Sequence, residues 1–120
     1  MVEFSLIAIL MTAIFVAVLQ VGIYLHQRNV VAASVQAAAR WAANANVATE
    51  AGGPRAKELI GEALSERAAA GLDCSASEAV GAAGLREVVI RCTGSIPSVA
   101  TALGDLLPLD VTGRAVKEGQ

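Results

Sequence analysis

The sequence predicts an α+β protein, in which a long N-terminal α-helix precedes a small head with one helix packed on a small antiparallel sheet. Three observations predict this arrangement. The 120-residue chain is 55% hydrophobic, and the excess is concentrated in an uncharged run from Phe4 to Leu25. Helix-forming residues then continue from Arg28 to Val47 without Gly or Pro. Alternation of apolar and polar residues appears only later, beginning clearly at Arg86.

The composition excludes several classes of function. Only 3% of the residues are aromatic and 17% are charged, with a mean hydropathy of +0.58, whereas soluble domains carry about 25% charged residues. The net charge of −2 disfavours nucleic-acid binding, which needs clustered Lys and Arg. One His and two Cys provide little material for a metal site, a cofactor site or a catalytic group. The chain is therefore predicted not to be an enzyme.

The run from Phe4 to Leu25 is predicted to cross a membrane. As a helix it spans roughly 33 Å, which matches a hydrocarbon core of about 30 Å. A cleaved signal peptide is the main competing interpretation. Its apolar region is typically about 7–15 residues and follows basic residues. This run is longer and has no basic residue before it, which favours a retained helix.

Polar residues mark both margins of the span. Tyr24, His26 and Arg28 are predicted to lie at one membrane interface. Glu3 lies at the other margin and is either an interfacial residue or a functional ion-pair partner. The positive charges at Arg28 and Arg40 would by themselves place the C-terminal side in the cytoplasm, an orientation that conflicts with the cysteines discussed below.

The helix is predicted to continue through an amphipathic half, residues 26–49, and to run from Val2 to Val47, close to 70 Å. A small-residue apolar stripe at helical spacing predicts the buried face: Val31, Val35, Ala38, Ala42 and Ala45. Trp41 is predicted to pack against the head rather than to bind a ligand.

The head is predicted to comprise residues 50–120. Gly52, Gly53 and Pro54 end the long helix and start a second one over Pro54–Ala70. The carboxylates Glu58, Glu62 and Glu66 repeat along one face of that helix. Such a row is compatible with a cation site, but the neighbouring basic residues favour a solvated surface.

Strands are predicted in the last part of the chain. In Arg86–Thr93, Val88, Ile90 and Cys92 are predicted to face the core, and in Leu109–Lys117 the core positions are Leu109, Val111, Gly113 and Ala115. Leu72–Val80 is either their partner strand or a short helix capped by Ser75. The connections are predicted to be a turn over Gly81–Leu85 and a helical turn over Pro97–Leu107 that covers the sheet.

Cys74 and Cys92 are placed symmetrically about the predicted turn, each nine residues from Ala83. They would therefore face each other across a hairpin, at a separation that suits a disulfide. Two free thiols, or half of a metal site without His partners, are the alternatives. A disulfide implies an oxidising compartment, so the head is expected outside the cytoplasmic membrane.

The N-terminal region resembles the TadE-like proteins of the tight-adherence (Flp-type, type IVb/IVc) pilus system, particularly their actinobacterial form. The residues that carry the resemblance are V-E-F at positions 2–4, V-G-I-Y-L-H-Q-R-N at 21–29 and A-A-R-W-A-A at 38–43, and L-D-V-T-G-R-A-V-K-E at 109–118 is similar to the family's final strand. The resemblance covers about residues 1–47 and 108–118, and it implies a pilin-like fold.

The resemblance implies a precursor whose short basic leader is removed by a prepilin peptidase. Residues 4–25 would then leave the membrane for the core of a helical filament, through an inner-membrane assembly platform. The family has an acidic residue at the fifth mature position, which Glu3 matches if two residues precede Met1. A basic leader would also resolve the conflict over orientation. Glu3 would then pair with the α-amino group of a neighbouring subunit and fix the helix register.

The sequence thus supports two functions. The first is a minor pilin or pseudopilin whose partners are other pilin subunits, with membrane lipid as its environment before assembly and the cell surface as its destination. The second is a single-pass membrane protein with an extracytoplasmic binding head. Residues upstream of Met1, ending in Gly after a basic stretch, would favour the first.

Overall fold

Helices come first in the chain and strands come last. A computed structural model describes residues 1–97 and 106–118. The elements in chain order are α1 (Val2–Ala42), a 3₁₀ turn (Thr49–Ala51), α2 (Gly52–Ala63), α3 (Glu66–Ala70), β1 (Leu72–Val80), β2 (Arg86–Pro97) and β3 (Leu106–Val116). This is the α+β architecture that the sequence predicts.

Helix α1 ends at Ala42 and not at Val47, so its predicted C-terminus is wrong. The Nζ of Lys117 donates hydrogen bonds to the carbonyls of Ala42 (2.9 Å) and Val47 (2.6 Å). The backbone N–H of Glu118 donates to the carbonyl of Ala43 at 2.7 Å. Carbonyls at a helix end lack partners within the helix. Here Lys117 and Glu118, which directly follow β3, supply the donors. Ala45, predicted to be buried, consequently lies beyond the helix and is exposed.

The predicted second helix is two helices. α2 begins at Gly52, before the predicted start at Pro54, and ends at Ala63. Ser65 is extended, and its side-chain oxygen accepts a hydrogen bond from the backbone N–H of Ala68 at 3.0 Å. Serine is a favoured residue for this capping role, so Ser65 starts α3 instead of continuing α2.

The three strands form an antiparallel sheet in the order β1-β2-β3. Leu72–Val80 is a strand, which decides between the two predicted alternatives. The connection Gly81–Leu85 closes through hydrogen bonds from Gly81 N to Leu85 O (2.8 Å) and from Gly84 N to Gly81 O (3.0 Å), with Gly84 at φ +79°, where glycine has no steric penalty.

The helical turn predicted over Pro97–Leu107 falls largely on residues 98–105, outside the described residues. Its two ends are not helical, because Pro97 belongs to β2 and Leu106 and Leu107 belong to β3. Cross-strand pairing of Pro97 with Leu106 therefore replaces helical structure at both ends of this segment.

The core lies between one face of the sheet and two helices. The second half of α1 packs on β3 and β2, and α2 packs beside it on β1. Val88, Ile90 and Cys92 of β2 are fully buried, as the alternation predicted. The largest fully buried side chains of the core are Ile60, Leu72, Ile90, Val31, Val35, Val88 and Cys92. In β3, Leu109, Val111 and Gly113 are buried and Ala115 is partly buried, as predicted.

Candidate functional site

The largest exposed apolar surface is the first half of α1. Every residue from Val2 to Leu19 is exposed, and the exposed fractions of Phe4 and Phe15 are 75% and 63%. Further along the same helix, Val31 and Val35 are fully buried. By length and composition α1 can cross a membrane. One continuous helix therefore has an unpartnered apolar half and a half that the head covers.

Glu3 lies in the first turn of α1 and is exposed. A carboxylate at this end of a helix interacts favourably with the helix dipole. Within the described part of the chain no cationic side chain pairs with it. The carboxylate is therefore available to a partner outside this chain.

Tyr24 contacts the head, which sequence reasoning missed. Its hydroxyl donates a hydrogen bond to the carbonyl of Pro108 at 2.9 Å, and its ring packs partly against the core. His26 and Arg28, its predicted companions at the membrane interface, are exposed. The contact ties the beginning of β3 to the end of the apolar run.

Gln36 is a second contact that sequence reasoning missed. Its Nε2 donates to the carbonyl of Arg114 at 2.6 Å, and its Oε1 accepts the backbone N–H of Arg114 at 3.2 Å. The side-chain amide thus pairs with backbone groups of β3, a strand at the edge of the sheet. The sequence signal was a polar side chain on the amphipathic half of the helix, away from the predicted apolar stripe.

Trp41 lies near the end of α1 with 38% of its surface exposed. The guanidinium carbon of Arg55, on α2, is 5.6 Å from the centre of its ring, within the range of a cation–π contact. Arg55 also pairs with Glu58 at 3.1 Å. Trp41 is therefore at the junction of α1 and α2 and outside the buried cluster.

Cys74 and Cys92 form a disulfide with an S–S distance of 1.99 Å, as predicted. They are directly opposed in the β1–β2 ladder, and Cys92 is fully buried. The bond cross-links the sheet at the centre of the head.

The sheet face that points away from the helices is polar. Arg91 and Asp110 form a two-bonded ion pair, with distances of 3.1 and 2.7 Å. The hydrogen bond from Arg91 lowers the pKa of Asp110 below its ordinary value, and the same bond raises the pKa of Arg91. Both side chains are more than half exposed, so solvent screens the pair and it contributes little to stability.

The described ranges, 1–97 and 106–118, contain no group of three or more His, Cys, Asp or Glu residues that is arranged to hold a metal ion. The grooves on the head are open and shallow, and one of them, of about 470 Å³, lies between α1 and α2 beside Ala33, Leu59 and Glu62.

Comparison with family models gives a match over the N-terminal third of the chain. The family model of TadE-like proteins matches residues 1–40, which lie almost entirely in α1. No curated protein and no solved structure matches the chain. The matched segment contains Glu3, the apolar half and the residues at its end. The match covers a third of the chain, so it shows that this N-terminal segment is similar to that of TadE-like proteins.

Proposed function

We propose that this protein is a structural subunit, a minor pilin or pseudopilin, of a tight-adherence type IV-like pilus or secretion pseudopilus. The observation that carries the proposal is the division of α1 into an apolar half that is exposed over residues 2–19 and a half buried under the head. A lone membrane anchor needs only the first property. A filament subunit needs both, because its helix must pack among copies while the head is held rigidly outside.

The partners follow from this geometry. Lipid surrounds the apolar half before assembly, with the head on the extracytoplasmic side, where a disulfide persists. Neighbouring pilin subunits replace the lipid in the filament at the cell surface. A prepilin peptidase that processes the precursor and an inner-membrane assembly platform are the further partners of such a pathway.

Glu3 is proposed to fix the axial register between neighbouring helices. An unpaired carboxylate is costly inside an apolar bundle, whereas pairing with the α-amino group of a neighbour offsets that cost only in one register. Breaking a buried pair costs about 3–5 kcal/mol, well above the 1.4 kcal/mol that corresponds to a tenfold change in binding.

We therefore expect Glu3→Gln and Glu3→Ala to insert normally into the membrane but to lower incorporation into filaments by about tenfold or more. Glu62→Gln, at an exposed carboxylate of α2, is the matched control. Membrane fractionation measures insertion. Immunogold electron microscopy of sheared surface material measures incorporation. Normal incorporation of Glu3→Leu would refute the proposed role of Glu3.

The second candidate function is a single-pass membrane protein with an extracytoplasmic binding head. The polar outer face of the sheet, with Arg91 and Asp110, gives such a head a surface to present. N-terminal sequencing of the mature chain separates the two candidates. An unprocessed chain that stays in the membrane and is absent from filaments would establish the anchor and contradict the pilin.

A further inference from the structure

Strands β2 and β3 extend beyond β1 at one end of the sheet. The β1–β2 ladder ends with Leu72 opposite Gly94. The β2–β3 ladder continues through Ser95–Pro108, Ile96–Leu107 and Pro97–Leu106. These six residues, 95–97 and 106–108, form an extension that is two-stranded apart from a hydrogen bond from the N–H of Ser95 to the carbonyl of Gly71. We call it the β2–β3 ribbon.

The ribbon projects toward the membrane half of α1. Three contacts align β3 with α1 in the same direction: Tyr24 with Pro108, Gln36 with Arg114, and Ala43 with Glu118. Earlier residues of β3 therefore lie beside earlier residues of α1. The ribbon precedes Pro108 and so lies on the N-terminal side of Tyr24.

The depth of the ribbon follows from the rise per residue. Leu106 is two strand residues before Pro108, a displacement of about 7 Å at 3.3–3.4 Å per residue. On a helix that rises 1.5 Å per residue, this corresponds to roughly one turn, which brings Leu106 to about the level of Gln20. Gln20 is also the first residue along α1 that is not exposed. This level is inside the run Phe4–Leu25.

The sequence of this end of the sheet is compatible with lipid. None of the six ribbon residues, 95–97 and 106–108, is charged. Backbone groups in the hydrocarbon core need internal partners. The β2–β3 ladder pairs the groups that face between the two strands, and the groups on the outer edges need water or lipid headgroups, which the interfacial region supplies. Charges return at Asp110, whose partner Arg91 lies on the outer face of the sheet.

We propose that the β2–β3 ribbon is a second membrane contact, which rests in the interfacial region of the bilayer beside α1 while the rest of the head stays in water. The continuity of the ribbon with the apolar half of α1 argues for lipid as its occupant. The proposal requires α1 to be inserted in a membrane, and it holds whether or not the chain later enters a filament.

Tryptophan fluorescence in vesicles tests the contact on the full chain. Trp41 is the only tryptophan, so Trp41→Phe gives a silent background into which single tryptophans are introduced. Leu106→Trp and Leu107→Trp, tested separately, report on the ribbon. Val116→Trp, at the opposite end of β3 and 50% exposed, is the matched control, and Phe15→Trp reports insertion of α1. The vesicles contain phosphatidylcholine and phosphatidylglycerol, with and without bromine on the acyl chains.

We expect brominated lipid to quench the tryptophan at position 15 and at least one ribbon tryptophan, whose emission moves to shorter wavelength, and to leave position 116 unquenched. Leu107→Asp is then added to the Leu106→Trp chain and, separately, to the Phe15→Trp chain. We expect it to reduce quenching at position 106 and to leave quenching at position 15 unchanged. Mobility on a non-reducing gel confirms that the disulfide is intact in each variant.

Three results would overturn the proposal. If position 15 is quenched and neither ribbon position is quenched more than position 116, the ribbon stays in water. If a ribbon tryptophan has short-wavelength emission but is not quenched, protein and not lipid covers it. If position 15 is not quenched, α1 is not inserted in the membrane. This result would refute both the membrane span and the proposed contact of the ribbon.

Discussion

At the scale of single residues, a few polar side chains fix the head to the long helix. The amine of Lys117 joins the carbonyls of Ala42 and Val47, Gln36 pairs with the backbone of Arg114, and Tyr24 binds the carbonyl of Pro108. Their partners are far away in the sequence, so no local pattern predicts these contacts. The sequence shows that the three side chains are polar but does not indicate which groups they bind.

Removing the amine of Lys117 tests its role at the end of α1. Lys117→Met leaves the carbonyls of Ala42 and Val47 without this donor, and a charged hydrogen bond of this kind contributes about 1.5–3 kcal/mol. We expect the free energy of unfolding to fall by about 1–3 kcal/mol, measured by urea denaturation in detergent micelles. Lys57→Met, on α2, is the control, and an equal effect of both substitutions would contradict the assignment.

The disulfide is predicted to contribute more than any single hydrogen bond. Cys74 and Cys92 are 18 residues apart, and closing a loop of about that length stabilises a chain by about 3 kcal/mol through the unfolded state. We expect reductant to lower the unfolding midpoint of the native chain. A Cys74→Ala, Cys92→Ala double variant is expected to start from the lower midpoint and to be insensitive to reductant. Sensitivity of that variant would attribute the effect to another cause.

At the scale of elements, the strands were the most predictable part of the chain. Alternation with a period of two residues identified the buried face of β2. The equal distance of Cys74 and Cys92 from Ala83 predicted the β1–β2 register for the case that Leu72–Val80 is a strand and not a short helix. The helix boundaries were less predictable. The break between α2 and α3 depends on Ser65, whose capping competes with continuation of the helix, and the end of α1 depends on β3.

The contact of α1 with β3 requires a glycine. A Cβ added to Gly113 would lie 2.9 Å from Val35 Cγ1 and 3.0 Å from the backbone N of Gln36, so the helix and strand would have to separate. We expect Gly113→Ala to destabilise the head by about 1–3 kcal/mol and to weaken the pairing of Gln36 with Arg114. Thermal unfolding in micelles measures the first effect. Thr112→Ala, at an exposed position of the same strand, is the control, and wild-type stability of Gly113→Ala would mean that this contact adapts.

At the scale of the whole molecule, the second half of α1 belongs structurally to the head. Val31, Val35, Ala38, Ala39 and Ala42 are fully buried in the same cluster as Ile60 and Ile90. The molecule extends over 72 Å along its longest axis, with this shared segment at the junction. This segment of α1 and the head therefore share one hydrophobic core.

Truncation tests this view. A chain that begins at Arg28 keeps the buried face of α1 and is expected to fold as a water-soluble head. A chain that begins at Ala43 loses that face, including Val31 and Val35, and burial of one such side chain contributes about 1.5–3 kcal/mol to a total stability of about 5–15 kcal/mol. We expect the shorter chain not to fold. Cooperative thermal unfolding, followed by circular dichroism, distinguishes the two outcomes, and a cooperative transition of the shorter chain would show that α1 is dispensable.

Local patterns in the sequence were enough to predict the apolar span, most of the small-residue face of α1, the buried positions of β2 and β3, and the opposed placement of Cys74 and Cys92. These features repeat at short intervals along the chain, so the periodicities of helix and strand make them readable. Contacts in the folded chain were needed to establish where α1 ends, which side chains fasten it to β3, and that the β2–β3 ribbon points toward the apolar half. Each of these depends on contacts between residues about 70 or more positions apart, which a local pattern does not encode.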